Sequence, residues 1–285
     1  MDWTTLVDAS TLAAELQNPE LRLVDARAAL GDADAGRRAF AESHLPGAVH
    51  ADLNRDLADL SRTGEGRHPL PDSEQFAGWL GHVGIAPQHQ VVVYDAGDGS
   101  MAAARLWWML RLLGHAHVAV LDGGLAAWRA AGLPESPLLA AAAPEAPYPA
   151  HFDTDAVVDA DEVLRRSNSA QAGIIDARAV ERFRGEVEPI DPVAGHVPGA
   201  RNRPFALNLR DGQFKPAEEL RAELLEVLDG VPPQQAVLMC GSGVTACHLL
   251  LAFEHAGLHG ARVYAGSWSG WISDPSRPIE RSSNA

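Results

Sequence analysis

A chain of 285 residues is long for a single hydrophobic core and suits two domains of ordinary size. Its 46% hydrophobic and 21% charged content is ordinary for a soluble globular protein. The net charge of −15, from 23 basic against 38 acidic side chains, comes without a basic stripe or tail and excludes nucleic acid and anionic membranes as partners. The N-terminal MDWTTLVDAST carries acids where a signal peptide carries lysines and an apolar core, so a cytoplasmic, reducing location is expected. No run approaches the roughly 18 uninterrupted apolar residues of a membrane span.

In chain order, LRLVDAR (21–27) reads as a buried strand and SEQFAGWLGHVG (73–84) has helical periodicity. QVVVYDAG (90–97) is a second strand, MAAARLWWMLRLLG (101–114) a second helix, and HVAVLDGG (117–124) a third strand. GLPESPLLAAAAPEAPYPA (132–150) follows, and its five prolines suggest a semi-rigid linker. The pattern then returns as GIIDAR (173–178), QAVLMCGS (235–242), the helix VTACHLLLAFEHAG (244–257) and ARVYAGS (261–267). Alternating strand and helix predicts an α/β fold with parallel sheets covered on both faces.

The return is a repeat. LVDAR (23–27) recurs as IIDAR (174–178), HLPGA (44–48) as HVPGA (196–200), and LDGGLAAW (121–128) more loosely as YAGSWSGW (264–271). Three segments in one order at near-constant spacing indicate a duplicated unit. The expected boundaries are 1–133 and 153–285, with a linker at 134–152. Asp95 and Cys240 then hold equivalent positions at strand ends, where ligands bind in parallel sheets.

The two cysteines, Cys240 and Cys247, lie on either side of a helix start and are too far apart along it for a strain-free disulfide. They also fall short of a zinc site. In Cys240-Gly241-Ser242-Gly243-Val244-Thr245, two glycines let successive N–H groups turn inward as an anion-binding nest. The following helix adds its N-terminal dipole, so a sulfur held there is favoured as thiolate and becomes a nucleophile. Cys247, among His248, Leu249 and Leu250, reads as packing. A phosphatase loop needs an arginine where Ala246 stands, and a nucleotide loop needs a lysine that this segment lacks.

Across essentially the whole chain, the duplicated D-A-R and H-x-P-G-A motifs and the strand–Cys–loop–helix pattern resemble the tandem rhodanese-type sulfurtransferases. CGSGVTA (240–246) is similar to the active loop of the 3-mercaptopyruvate-using branch. The resemblance implies two tandem rhodanese-like domains, the first catalytically silent, with the active site where the two meet. It implies a Cys240 persulfide cradled by the backbone of Gly241, Gly243, Val244 and Thr245. It also implies a donor-carboxylate arginine at Arg182 and a proton relay through Ser242 and His68, although a lone loop histidine reads as structural just as readily. No metal or other cofactor is implied. The implied partners are a small anionic sulfur donor and a thiol or cyanide acceptor, a thioredoxin-like reductant among them.

Three positions depart from the family pattern. A second carboxylate-binding arginine would fall near Ile190-Asp191, and Arg184 is the nearby substitute. Asn54 stands where an acid partner for the histidine is common, with Asp52 and Asp56 as stand-ins. Gly270 replaces a common glutamate, a matter of packing. Two other functions are compatible with the motifs: thiosulfate as donor, or a persulfide carrier loaded by a partner protein.

Overall fold

The computed structural model describes residues 1–97, 102–140, 148–169 and 172–282. Residues 141–147 of the expected linker therefore lie outside the described residues. The chain divides into two compact units, Met1–Asp59 with Leu70–Asp153 and Asp211–Gln213, and Leu60–Pro69 with Thr154–Arg210 and Phe214–Ala285.

The first unit contains β1 (Leu6–Val7), α1 (Ala9–Ala14), β2 (Leu21–Asp25), α2 (Ala35–Glu42), β3 (Val49–His50), α3 (Ser73–His82), β4 (Gln90–Tyr94), α4 (Ala102–Leu112), β5 (Val118–Leu121) and α5 (Gly124–Ala130). Its strands form one sheet in the order β1-β5-β4-β2-β3, and every pairing is parallel. β4 is buried along its whole length, as expected of a Val-rich central strand covered on both faces. In α4 every residue but Arg111 is buried, which explains its apolar character all round.

The second unit contains β6 (Val157–Val158), α6 (Ala160–Ser167), β7 (Ile174–Asp176), α7 (Val180–Arg184), β8 (Arg201–Asn202), β9 (Leu209–Arg210), the Phe214 end of β10 (Gln213–Phe214), α8 (Ala217–Leu228), β11 (Val237–Met239), α9 (Thr245–His255), β12 (Arg262–Tyr264) and α10 (Ser267–Trp271). β9 and β10 pair as a small ribbon, and the main sheet runs β6-β12-β11-β7-β8, again parallel throughout. This is the strand order of the first unit repeated.

The recurring motifs have physical jobs, and each job is done twice. Arg27 clamps Asp25 through Nε and Nη2 and donates from Nη2 to the Ser43 carbonyl at 2.6 Å. Arg178 clamps Asp176 the same way and reaches the Gly195 carbonyl at 2.8 Å. His44 stacks on Phe40 with centroids 4.0 Å apart, and His196 on Phe183 at 3.9 Å. Trp128 and Trp271 each donate an indole N–H to a proline carbonyl at 2.9 Å, those of Pro134 and Pro278. Asp8 and Asp159 cap α1 and α6 by accepting the N–H of Thr11 and Glu162. The D-A-R motif thus pins the strand end to the H-x-P-G-A loop in both copies.

Arg178 is fully buried, and its guanidinium also lies 4.7 Å over the Trp268 ring. Removing one member of a buried ion pair strands the other, at a cost of about 3–5 kcal/mol. Arg178→Ala should therefore destabilise the second unit by about that amount in urea unfolding. A loss under about 1 kcal/mol, the surface-pair scale, would show that the clamp contributes little.

The chain leaves β7 toward β8 on one side and returns through β11 to β12 on the other. The carboxyl ends of β7 and β11 therefore flank the switch point of the sheet, the place where open α/β sheets bind ligands. No helix among the described residues is long and apolar enough to cross a membrane.

Candidate active site

Cys240 is the first residue beyond β11, whose Met239 pairs with Asp176 at the end of β7, so the thiol sits at that switch point. It is 1% exposed, and Cys247 is also a free, buried thiol. The Gly243 N–H donates to Cys240 Sγ at 3.2 Å, which is the nest contact the loop sequence suggests. Gly243 has φ +79, and a Cβ there would lie 2.3 Å from the Ala265 carbonyl oxygen, so only glycine fits. Cys247 does more than pack, since its S–H donates to the Gly243 carbonyl at 3.1 Å and braces the loop from the first turns of α9.

α10 holds the loop from the other side. The N–H groups of Trp268 and Ser269 donate to the carbonyls of Cys240 and Gly241, both at 2.9 Å. In the first unit, Leu125 and Ala126 make the same pair of bonds to Asp95 and Ala96. Among the differences between the two copies, Gly124 in the first unit corresponds to Ser267 in the second. Ser267 keeps the left-handed backbone at φ +51, which costs a non-glycine residue about 1–2 kcal/mol. Its hydroxyl accepts the Cys240 N–H at 3.0 Å, donates to the Tyr264 carbonyl, and lies 3.9 Å from Cys240 Sγ. The sequence reading did not single out Ser267. The Gly-to-Ser change between the aligned repeats was the available signal.

The segment 60–69 belongs to the second unit and brings two side chains to the loop. Gly66 has φ +102, and a Cβ there would strike the Gly266 carbonyl oxygen at 2.6 Å, so this strand of chain lies hard against the start of α10. The Arg67 N–H donates to Ser269 Oγ at 3.0 Å, and Ser273 Oγ donates to the Gly64 carbonyl at 2.8 Å. Gly270 is small for the same reason, because a Cβ would come within 3.3 Å of the Glu65 backbone. His68 is thereby fixed with Nδ1 2.9 Å from Ser242 Oγ, both side chains buried. Asp52 and Asp56 are engaged in their own turn, Asp52 accepting from the N–H groups of Asn54 and Arg55, and Asp56 from that of Asp52.

Charged side chains line the approach to Gly241 as an alternating series. Arg178 faces Glu188 at 3.4 Å. Glu188 accepts from Arg182 Nη2 at 2.7 Å and Nε at 3.1 Å. Arg182 Nη2 also reaches Asp191 at 3.2 Å, and Asp191 pairs with Arg67. Burial raises the Asp191 carboxyl above the usual carboxylate range, outweighing the pull of Arg67. Burial also works to raise Glu188, but its hydrogen bonds with Arg182 and with backbone N–H groups bring it below that range. Arg184 ends α7 with 41% of its side chain exposed and its guanidinium 3.8 Å from Glu186. Among the described residues, no cluster of His, Cys, Asp and Glu could hold a metal ion.

Two stretches of the chain, residues 8–131 and 159–274, match the family described as the Rhodanese-like domain. The chain belongs to the rhodanese family. A relative from Pseudomonas aeruginosa named "Probable 3-mercaptopyruvate sulfurtransferase" is 47% identical over 98% of this chain and 99% of its own. One from Mycobacterium tuberculosis, provisionally named thiosulfate sulfurtransferase SseB, is 39% identical over 97% of this chain and 96% of its own. The crystal structure of the 3-mercaptopyruvate sulfotransferase SseA from Escherichia coli is 36% identical, with a TM-score of 0.81, covering 94% of this chain and all of that one. With two rhodanese-like domains and relatives of this kind along its whole length, the chain is a sulfurtransferase.

Proposed function

We propose that this sulfurtransferase takes sulfur from 3-mercaptopyruvate, carries it as a persulfide on Cys240, and delivers it to a thiol or cyanide acceptor. The observation that carries the reading is Cys240 at the end of β11, its Sγ accepting the Gly243 N–H in a loop without charged side chains. The thiolate attacks the donor sulfur, forming an S–S bond while the donor's C–S bond breaks. The carbon leaves as the enolate of pyruvate and takes up a proton. His68, held 2.9 Å from Ser242 Oγ, is placed to move that proton through the serine hydroxyl. The Gly243 N–H and the α9 N-terminus stabilise the persulfide anion that remains. A thiolate acceptor, such as a thioredoxin-like reductant, then removes the outer sulfur and restores Cys240. Both cysteines are free thiols, in keeping with a reducing, cytoplasmic setting.

Thiosulfate is the second donor to consider, because the M. tuberculosis relative carries that name. Thiosulfate bears two charges and is better held by cations inside the loop, whereas 241–245 supplies only N–H and O–H groups. A single carboxylate fits the arginine beside Gly241, and a charge-assisted hydrogen bond is worth about 1.5–3 kcal/mol, or about 10- to 150-fold in binding. Parallel steady-state kinetics should give 3-mercaptopyruvate the higher kcat/KM, with Arg182→Ala losing one to two orders of magnitude, about the range of that bond. A higher kcat/KM for thiosulfate would overturn the donor, and little turnover with either small donor would favour a persulfide carrier loaded by a partner protein.

A further inference from the structure

We infer that Arg67 is a donor-binding residue, pairing with Arg182 to hold the donor's carboxylate over Gly241; the inference deepens the donor reading above and rests on it. Gly241 adjoins the nucleophile, and the space where its Cβ would stand is bordered by two guanidiniums. Arg67 Nη2 lies 3.0 Å from that point, and Arg182 Nη1 and Nη2 each lie 3.5 Å from it. The other Nη of each arginine is already engaged. Arg182 uses Nε and Nη2 on Glu188 and Asp191, while Arg67 uses Nη1 on Asp191. One Nη of each arginine is therefore left to converge on the same spot, a geometry suited to the two oxygens of a carboxylate.

Asp191 makes the convergence possible. Its buried carboxylate bridges the two guanidiniums, which would otherwise repel one another, and fixes both. The backbone of Arg67 is anchored separately by its N–H bond to Ser269 Oγ, so the side chain is presented on a rigid segment. Arg67 is the outermost cation of the series, with 29% of its side chain exposed against 18% for Arg182, and is the first that an entering anion meets.

Two measurements on the full-length protein test this. In the first, Arg67→Ala should raise the KM for 3-mercaptopyruvate at least about tenfold, the loss of one charge-assisted contact, with a smaller change in kcat. Arg67→Lys, which keeps the charge, should recover part of the loss. The second needs no turnover. The rates at which Cys240 is alkylated by anionic iodoacetate and neutral iodoacetamide are compared, and their ratio should fall about tenfold in Arg67→Ala and only partly in Arg67→Lys. Dividing by the neutral reagent removes any general change in thiol reactivity or loop order. An unchanged ratio and KM in Arg67→Ala overturn the inference, as does an equal fall with both reagents, which marks a structural role. If the wild-type protein uses thiosulfate and not 3-mercaptopyruvate, the donor reading fails, and the alkylation ratio still decides whether Arg67 attracts anions to Cys240.

Discussion

Cys240→Ser should abolish sulfur transfer, a loss on the order of 10³-fold or more, the scale on which removal of a nucleophile registers. A serine hydroxyl keeps the size and the hydrogen bonding of the thiol but cannot form a persulfide, and at neutral pH it is not ionised. The loop around it should stand, because its shape is fixed by the carbonyl bonds from Trp268 and Ser269 and by the glycine at 243. Cys247→Ser should keep most of the activity, since a serine hydroxyl can also donate to the Gly243 carbonyl that the Cys247 thiol reaches at 3.1 Å. Mass spectrometry after donor treatment should find one added sulfur on the peptide containing Cys240. Sulfur found on Cys247 instead would reverse the assignment.

Gly243→Ala should be the most damaging change in the loop that leaves the nucleophile in place. Alanine at φ +79 costs about 1–2 kcal/mol on backbone grounds alone. Its Cβ would also lie 2.3 Å from the Ala265 carbonyl oxygen, so the turn must shift. The shift withdraws the N–H that meets Cys240 Sγ at 3.2 Å. Loss of one preorganised donor at a developing anion lowers kcat by about 10²- to 10³-fold, and that is the expected effect in steady-state kinetics. Wild-type kcat in Gly243→Ala would mean that the nest is not what stabilises the sulfur anion.

The sequence by itself determined the duplicated architecture and the covered parallel sheets, and it pointed to the Cys240 loop that the proposed function rests on. These are legible because each rests on local or periodic chemistry: Val-rich runs for central strands, helical apolar periodicity, and glycines where N–H groups must turn inward. The recurring Asp-Ala-Arg and His-x-Pro-Gly-Ala segments signalled the repeat, and the buried Asp–Arg clamps and His–Phe stacks are the reason they recur. The edge strands Leu6–Val7, Val49–His50, Val157–Val158 and Arg201–Asn202 escaped notice, because two residues carry no period. The tertiary structure alone decided which charged side chains meet at Gly241. Arg67, Arg182 and Asp191 come from separate segments, and nothing in their spacing shows that one buried carboxylate holds two guanidiniums. It likewise turned Asp191, near where the family pattern expects an arginine, into a carboxylate that bridges Arg67 and Arg182. Ser267 was hidden for a related reason. Its value lies in a left-handed backbone that aims a hydroxyl at the Cys240 N–H, and a conformation of that kind is imposed by packing rather than written in local sequence.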